Sequence, residues 1–154
     1  GTIIIDILKG YLPIIIFSPY LPDSINIDIA QIIFGFFAVL GHVYPIFYNF
    51  KGGKGAGTLI GVVLAIFPYS FPFVLMCWLL IVIFTGFVGL STILAGISLV
   101  VITYLKYPQT IFSEFGYFTI AVSLFLIYTH RENIVRMIKG EENQFKKVMI
   151  FKKK

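Results

Sequence analysis

Charge is confined to so few places in this chain that water cannot be the solvent around most of it. Only 12% of the residues are Asp, Glu, Lys or Arg, against roughly 25% in an ordinary soluble domain, and the mean hydropathy is +0.95. A soluble domain of 154 residues can bury a full core, but it must also clothe itself in polar side chains. With 58% hydrophobic residues, lipid has to be the outer solvent, and the expected fold is an all-α, polytopic membrane helix bundle.

A hydrocarbon core about 30 Å thick takes roughly 20 apolar residues per helix, fewer where the ends snorkel or the bilayer thins. On that ruler the sequence predicts six transmembrane helices, near 2–18, 28–47, 56–69, 71–86, 88–105 and 114–130. Only Pro68-Tyr69-Ser70-Phe71-Pro72 separates the third from the fourth. Merging those two would put the basic clusters on opposite faces, against the tendency of short cytoplasmic loops to collect Lys and Arg. Six spans place Lys51 and Lys54 on the same, cytoplasmic side as the C-terminal tail. The opposite loops, near 19–27, 68–72 and 106–113, then hold Lys106 as their only basic residue. The expected division is a membrane domain over 1–131 and an interfacial basic tail over 132–154. In that tail Ile134, Val135, Met137, Ile138, Phe145, Val148, Met149, Ile150 and Phe151 mix with charges, a pattern that predicts a short interfacial helix and a polybasic end held to the cytoplasmic leaflet by apolar contact and anionic lipid.

The net charge of +5 fits several partners until its distribution is considered. Ten of the twelve Lys and Arg lie either at Lys51 and Lys54 or in the tail from Arg131 to Lys154. The remaining surface is lipid-soluble, which argues against nucleic acid. Cys77 is the only cysteine, within an apolar run, so neither an internal disulfide nor a cysteine metal site is expected. The chain opens on Gly1 and enters an apolar run with no basic n-region or small-residue cleavage site, and so reads as lacking its N-terminus.

Three stretches carry residues capable of chemistry. In the loop from Gly41-His42 to Thr58, glycines at 52, 53, 55 and 57 let backbone N–H groups approach a ligand, and a predicted helix begins directly afterwards. Lys51 and Lys54 add positive charge there, and a phosphate monoester suits the combination. A nucleotide P-loop needs Gly five residues before the Gly-Lys pair and Ser or Thr after the Lys; Tyr48 and Gly55 occupy those positions. A flexible basic turn obeying the charge rule for cytoplasmic loops remains an open alternative.

At the end of the last span, His130 and Asn133 are three apart and share a helix face, with Glu132 turned away. An interfacial histidine beside a solvated charge run is the plainer alternative. In the first span Asp6 and Lys9 are also three apart; ionisable groups in a membrane helix need partners or a polar cavity, and pairing with each other would satisfy both. His42 reads as a hydrogen-bonded helix-end residue. Two histidines without a convincing carboxylate set do not predict a metal site.

Taken together, Asp6-Ile7-Leu8-Lys9-Gly10, Gly41-His42 through Thr58, and His130-Arg131-Glu132-Asn133-Ile134 with Gly140-Glu141 resemble the ordered motifs of the bacterial acyl-phosphate:glycerol-3-phosphate acyltransferases. The resemblance covers essentially the whole chain. It implies seven spans in the complete protein, the additional one preceding this sequence together with a Ser- and Asn-containing loop. It implies transfer of a fatty acyl group from an acyl phosphate to the 1-hydroxyl of glycerol 3-phosphate at the cytoplasmic face of the bacterial inner membrane. Lysophosphatidic acid and phosphate would be the products. No cofactor is implied.

By the same resemblance Lys54, Lys51, Gly52, Gly53, Gly55 and Lys9 would serve substrate binding, and His130 and Asn133 the reaction centre. Asp6, His42, Glu132 and Glu141 would support them. An acyl phosphate is already activated, and the chain shows neither a Gly-x-Ser-x-Gly elbow nor a nucleophile–His–carboxylate set. A small transporter or channel for anionic solutes is the alternative; it would be favoured by paired broken helices or inverted repeats, and no convincing pair is evident.

Overall fold

A computed structural model describes residues 2–106 and 112–150, and within them every regular element is helical. In a bilayer this is the arrangement that satisfies backbone polar groups within each segment. The α-helices are α1 (Thr2–Phe17), α2 (Ile27–Val43), α3 (Ala56–Ile66), α4 (Phe71–Thr85), α5 (Val88–Lys106), α6 (Glu114–Thr129) and α7 (Arg131–Ile138). The first six fall on the six predicted spans, and the division between the third and fourth is present.

Three stretches, Thr2–Tyr20, Ile27–Tyr48 and Val88–Lys106, are long and apolar enough to cross a membrane. The other apolar helices, α3, α4 and α6, have 11, 15 and 16 residues. At 1.5 Å per residue α3 is only about 16 Å long, roughly half a hydrocarbon core.

Two helices stop short of their predicted ends for one reason. Tyr44 and Phe67 each precede a proline, whose ring excludes the α conformation from the residue before it. Both leave the helix with nearly the same dihedrals, φ −122° and ψ 62° at Tyr44 and φ −124° and ψ 52° at Phe67. Helix α2 therefore ends at Val43 and α3 at Ile66. At its other end α2 is capped by Asn26, whose Oδ1 accepts from the N–H groups of Asp28 at 2.9 Å and Ile29 at 3.3 Å.

Short α3 sits at the centre because glycine lets α1 approach it backbone to backbone. A methyl group on Gly10 would lie 2.0 Å from the Thr58 carbonyl oxygen, and one on Gly61 would lie 1.9 Å from that of Ile7. Lipid tails are as apolar as leucine, so helices in a bilayer associate through such close packing of small residues. Val62 and Thr58 on α3, Ile14 on α1 and Leu99 on α5 are all buried. The pair α5–α6 closes similarly, with Gly96 under Leu126 and the Ser123 hydroxyl 2.7 Å from the Gly96 carbonyl oxygen. The outward faces remain apolar, as on α1 with Ile4, Leu8, Leu12 and Ile15.

The helices alternate in direction. One end of the bundle gathers the N-termini of α1, α3 and α5 and the C-termini of α2, α4 and α6, as the contacts of Asp6 with Gly57, His42 with Gly53, and Gly89 with Asn133 show. At the other end the Lys106 ammonium lies 4.7 Å from the centre of the Tyr69 ring. Most of the predicted 106–113 loop, and Phe151 to Lys154 of the tail, lie outside the described residues.

After α7 the predicted tail is not helical. Gly140 takes φ 72°, its N–H bonds to the Met137 carbonyl at 3.1 Å, and the Glu141 N–H reaches the Arg136 carbonyl at 2.8 Å. This pair of bonds is a Schellman closure, which ends a helix and redirects the chain. The tail then docks on the α4–α5 corner: Phe145 N–H bonds to the Gly86 carbonyl at 2.8 Å and Ile150 N–H to the Ile83 carbonyl at 3.2 Å.

Candidate functional site

The loop after α2 is a self-bonded excursion. Tyr44-Pro45 turns the chain, Ile46–Tyr48 makes one 3-10 turn, and Asn49 and Phe50 take left-handed conformations at φ 53° and 59°. That conformation is uncommon for residues with a Cβ. The chain is thereby sent back along the end of α2, where Gly52 N–H bonds to the Val43 carbonyl at 3.1 Å and Gly53 N–H to the His42 carbonyl at 3.3 Å. A methyl on Gly52 would lie 2.0 Å from the His42 carbonyl oxygen, so a side chain there would part the two strands. Gly55, at φ 82°, begins α3 with no side-chain cap. The first N–H groups of α3 thus point out of the helix beside Lys54, the arrangement that favours an anion.

Lys54 leaves this loop toward α7. Its ammonium donates to Asn133 Oδ1, and its carbonyl accepts from the Thr129 hydroxyl at 3.0 Å. Asn133 Nδ2 donates to Glu142 Oε1 at 2.5 Å, and Glu142 Oε2 accepts from Arg136 Nε at 2.6 Å. Gly89 on α5 makes room for Asn133, whose Cβ, Cγ and Nδ2 would all be 2.9 Å from a methyl placed there. Burial alone would push the Glu142 carboxyl up; the bonds from Asn133 and Arg136 outweigh it and hold the group below the ordinary carboxylate range.

His130 stands between α6 and α7 and is buried. Its Nδ1 lies 2.9 Å from the Leu126 carbonyl oxygen, so this nitrogen carries the proton and donates, leaving Nε2 with its lone pair.

A second polar group ties α1 to α2. Lys9 Nζ is 2.7 Å from Asp6 Oδ1, which is 3.4 Å from His42 Nδ1. Lys9, His42, Lys51, Gly52 and Gly53 border a cleft of ≈ 670 Å³ whose apolar lining includes Pro13, Phe17, Phe34 and Phe37. A smaller apolar groove of ≈ 260 Å³ lies among α3, α4, α5 and α6, lined by Ala56, Leu59, Val63, Val74, Trp78 and Leu99 among others. Ala56 stands two residues after Lys54.

The predicted residues therefore fall into two neighbouring groups. Lys54 joins His130 and Asn133, and Gly55 starts α3 against Val39 and Val43, whereas Lys51, Gly52 and Gly53 border the cleft with Lys9 and His42, which Asp6 contacts. Glu132 is exposed on α7, and Glu141 is exposed with its N–H in the helix closure. The acid that reaches Asn133 is Glu142, which sequence reasoning passed over. Gly140 was the available signal: a left-handed residue after α7 reverses the chain and brings the following acids back along the helix.

Fold and site together define an integral membrane protein with a cluster of charged and polar side chains built into one end of its helix bundle. The family model for glycerol-3-phosphate acyltransferase matches residues 1–140. The glycerol-3-phosphate acyltransferase of Aquifex aeolicus is 38% identical over 143 residues, covering 92% of this chain and 70% of that protein. That of Bacillus subtilis is 39% identical over 151 residues, covering 95% and 72% respectively. The crystal structure of PlsY, an integral membrane glycerol 3-phosphate acyltransferase, in its glycerol 3-phosphate form superposes with a TM-score of 0.78 at 35% identity, covering 93% of this chain and 68% of that one. Its lysophosphatidic acid form gives 0.78 at 34% identity, covering 92% and 69%. The chain belongs to the glycerol-3-phosphate acyltransferase family, and it is a membrane enzyme.

Proposed function

We propose that the chain acylates the 1-hydroxyl of glycerol 3-phosphate with a fatty acyl phosphate at the cytoplasmic face of a bacterial inner membrane, giving lysophosphatidic acid and inorganic phosphate. The observation that carries this reading is the convergence of Lys54 on Asn133, beside buried His130 and the start of α3, which has no side-chain cap. A cation next to unpaired helix amides suits a phosphate dianion. Relatives in glycerol 3-phosphate and lysophosphatidic acid forms support substrate and product.

In this scheme Lys54, the α3 amides and Lys51 hold the anionic groups, and the fatty chain lies in the apolar groove that begins at Ala56. The substrate hydroxyl oxygen bonds to the acyl carbon, the bond from that carbon to the phosphate oxygen breaks, and inorganic phosphate leaves. The hydroxyl proton passes to His130 Nε2 or to a phosphate oxygen. Holding both reactants in register supplies much of the acceleration, and neutralising the developing charge supplies the rest. Asn133, fixed by Glu142, orients the Lys54 ammonium; Lys9, Asp6 and His42 support the loop. All six apolar helices are membrane segments over 1–131, α3 being a short one packed within the bundle. The segment over 132–154 is an interfacial tail.

The test is phosphate release by the complete encoded protein given palmitoyl phosphate and glycerol 3-phosphate. Stoichiometric phosphate and lysophosphatidic acid are expected. No acylated product, or release that ignores glycerol 3-phosphate, would remove the proposal.

A further inference from the structure

The geometry points to His42 as a positioning residue: its imidazole, oriented by Asp6 of α1, braces Gly53 and so sets the register in which the glycine loop presents Lys54 and the first amides of α3. This rests on the function proposed above and assigns His42 no contact with substrate.

The loop needs an external brace. Asn49 and Phe50 both stand in left-handed conformations at φ 53° and 59°, and such backbone persists only where its surroundings over-determine it. The glycines beyond them have no side chains with which to anchor themselves. What fixes the return leg is the end of α2, and His42 acts there twice. Its carbonyl accepts the Gly53 N–H at 3.3 Å. Its ring edge meets the same residue, for a methyl on Gly53 would lie 2.2 Å from Nε2, 3.0 Å from Cε1 and 3.2 Å from Cδ2. The imidazole thus occupies the volume a side chain at 53 would fill.

The ring is itself fixed from the neighbouring helix. His42 Nδ1 lies 3.4 Å from Asp6 Oδ1 and 3.5 Å from the Lys9 ammonium, which itself stands 2.7 Å from that oxygen. The Asp6 Cβ would be 3.0 Å from a methyl on Gly57, in the first turn of α3. Asp6 therefore packs its Cβ beside the first turn of α3 just past the loop, and its carboxylate faces the ring that presses on the loop just before it. Lys54 and Gly55 lie between these two contacts. A shift at Gly53 moves the Lys54 ammonium and the α3 amides together, so the expected effect falls on binding of the phosphorylated acceptor rather than on bond breaking.

The experiment is steady-state kinetics on the complete encoded protein, with hydrogen exchange over residues 44–55. In His42→Ala, KM for glycerol 3-phosphate should rise between about tenfold and a hundredfold, with kcat and the KM for palmitoyl phosphate nearly unchanged. The Gly52 and Gly53 amides should exchange faster. His42→Gln, which restores a side chain of similar reach, should recover part of both effects and remains informative if the alanine variant does not fold. Asp6→Asn keeps the Cβ beside Gly57 and removes the charge that faces the ring, so Asp6→Asn/His42→Ala should lie within about twofold of His42→Ala alone.

A fall in kcat at constant KM would overturn the assignment in favour of a chemical role, and unchanged KM with unchanged exchange would overturn it outright. If the wild-type protein fails to acylate glycerol 3-phosphate, the functional reading falls by itself, and exchange at Gly52 and Gly53 still decides whether His42 braces the loop.

Discussion

Lys54, Asn133 and Glu142 form a chain of charge-assisted contacts in which each member has a separable consequence. Lys54 supplies the positive charge, and such hydrogen bonds contribute about 1.5–3 kcal/mol each. Lys54→Ala should accordingly raise the KM for glycerol 3-phosphate more than it lowers kcat; an unchanged KM would detach this lysine from phosphate binding. His130 is poised differently, with Nδ1 committed to the Leu126 carbonyl and Nε2 available. His130→Ala should lower kcat by about a hundredfold or more if the ring moves the proton. His130→Asn keeps a donor near the Nδ1 position, so full turnover in that variant would assign the proton to a substrate phosphate oxygen. Glu142 bears on stability. A carboxyl whose folded pKa is depressed contributes stability that is present above its unfolded pKa and lost as pH falls through the folded value. Glu142→Gln should therefore cost about 1–2 kcal/mol at neutral pH, discounted for the part-exposed Arg136. In thermal unfolding, the gap from wild type should close as pH falls below the ordinary glutamate value of 4.5. A gap independent of pH would show that the carboxylate charge is not what holds Asn133.

Among the elements, α3 shows what the sequence disclosed and what it hid. The six apolar segments were legible because length and composition alone constrain a chain in lipid, and the α3–α4 division was legible from Pro68 and Pro72 with the charge rule. The sequence already made α3 short, but its end at Ile66 was concealed, because apolar Phe67 continues the run while its position before Pro68 ends the helix. The candidacy of Lys54 was visible in the glycines around it. Its partner Asn133 was visible only as a residue sharing a face with His130, and Glu142 was hidden by a chain reversal at Gly140 that composition does not encode. Gly10 and Gly61 had no local meaning in the sequence; their meaning is the closeness of α1 to α3, which is tertiary. Gly61→Ala should therefore destabilise the bundle by about 1–3 kcal/mol or more, since the added methyl meets a carbonyl oxygen rather than a yielding side chain. Gly41→Ala is the matched control, for nothing lies within 4 Å of a methyl built there. Equal thermal midpoints for the two variants in detergent would refute the close α1–α3 contact.

At the scale of the whole molecule, alternation of six apolar helices puts every candidate polar group at one end, and the tail reinforces this by folding onto the α4–α5 corner at that same end. The proposed function gives this arrangement a logic: a water-soluble phosphorylated acceptor and an amphiphilic donor would meet at an interface, where the charged groups give way to the apolar groove. It also makes a prediction about sidedness that is independent of catalysis. In a Cys77→Ala background, Tyr48→Cys and Lys139→Cys should share one accessibility, and Asp23→Cys, in the connection between α1 and α2 at the far end, should have the opposite one. With a membrane-impermeant maleimide, Asp23→Cys should label in intact cells, while the other two label only after permeabilisation, as expected if Lys and Arg collect on the cytoplasmic side. Labelling of Tyr48→Cys and Lys139→Cys from opposite sides would break the alternation and, with it, the common site of Lys54 and Asn133. Labelling of both in intact cells would keep the site and reverse its orientation, separating the architecture of the enzyme from its placement in the membrane.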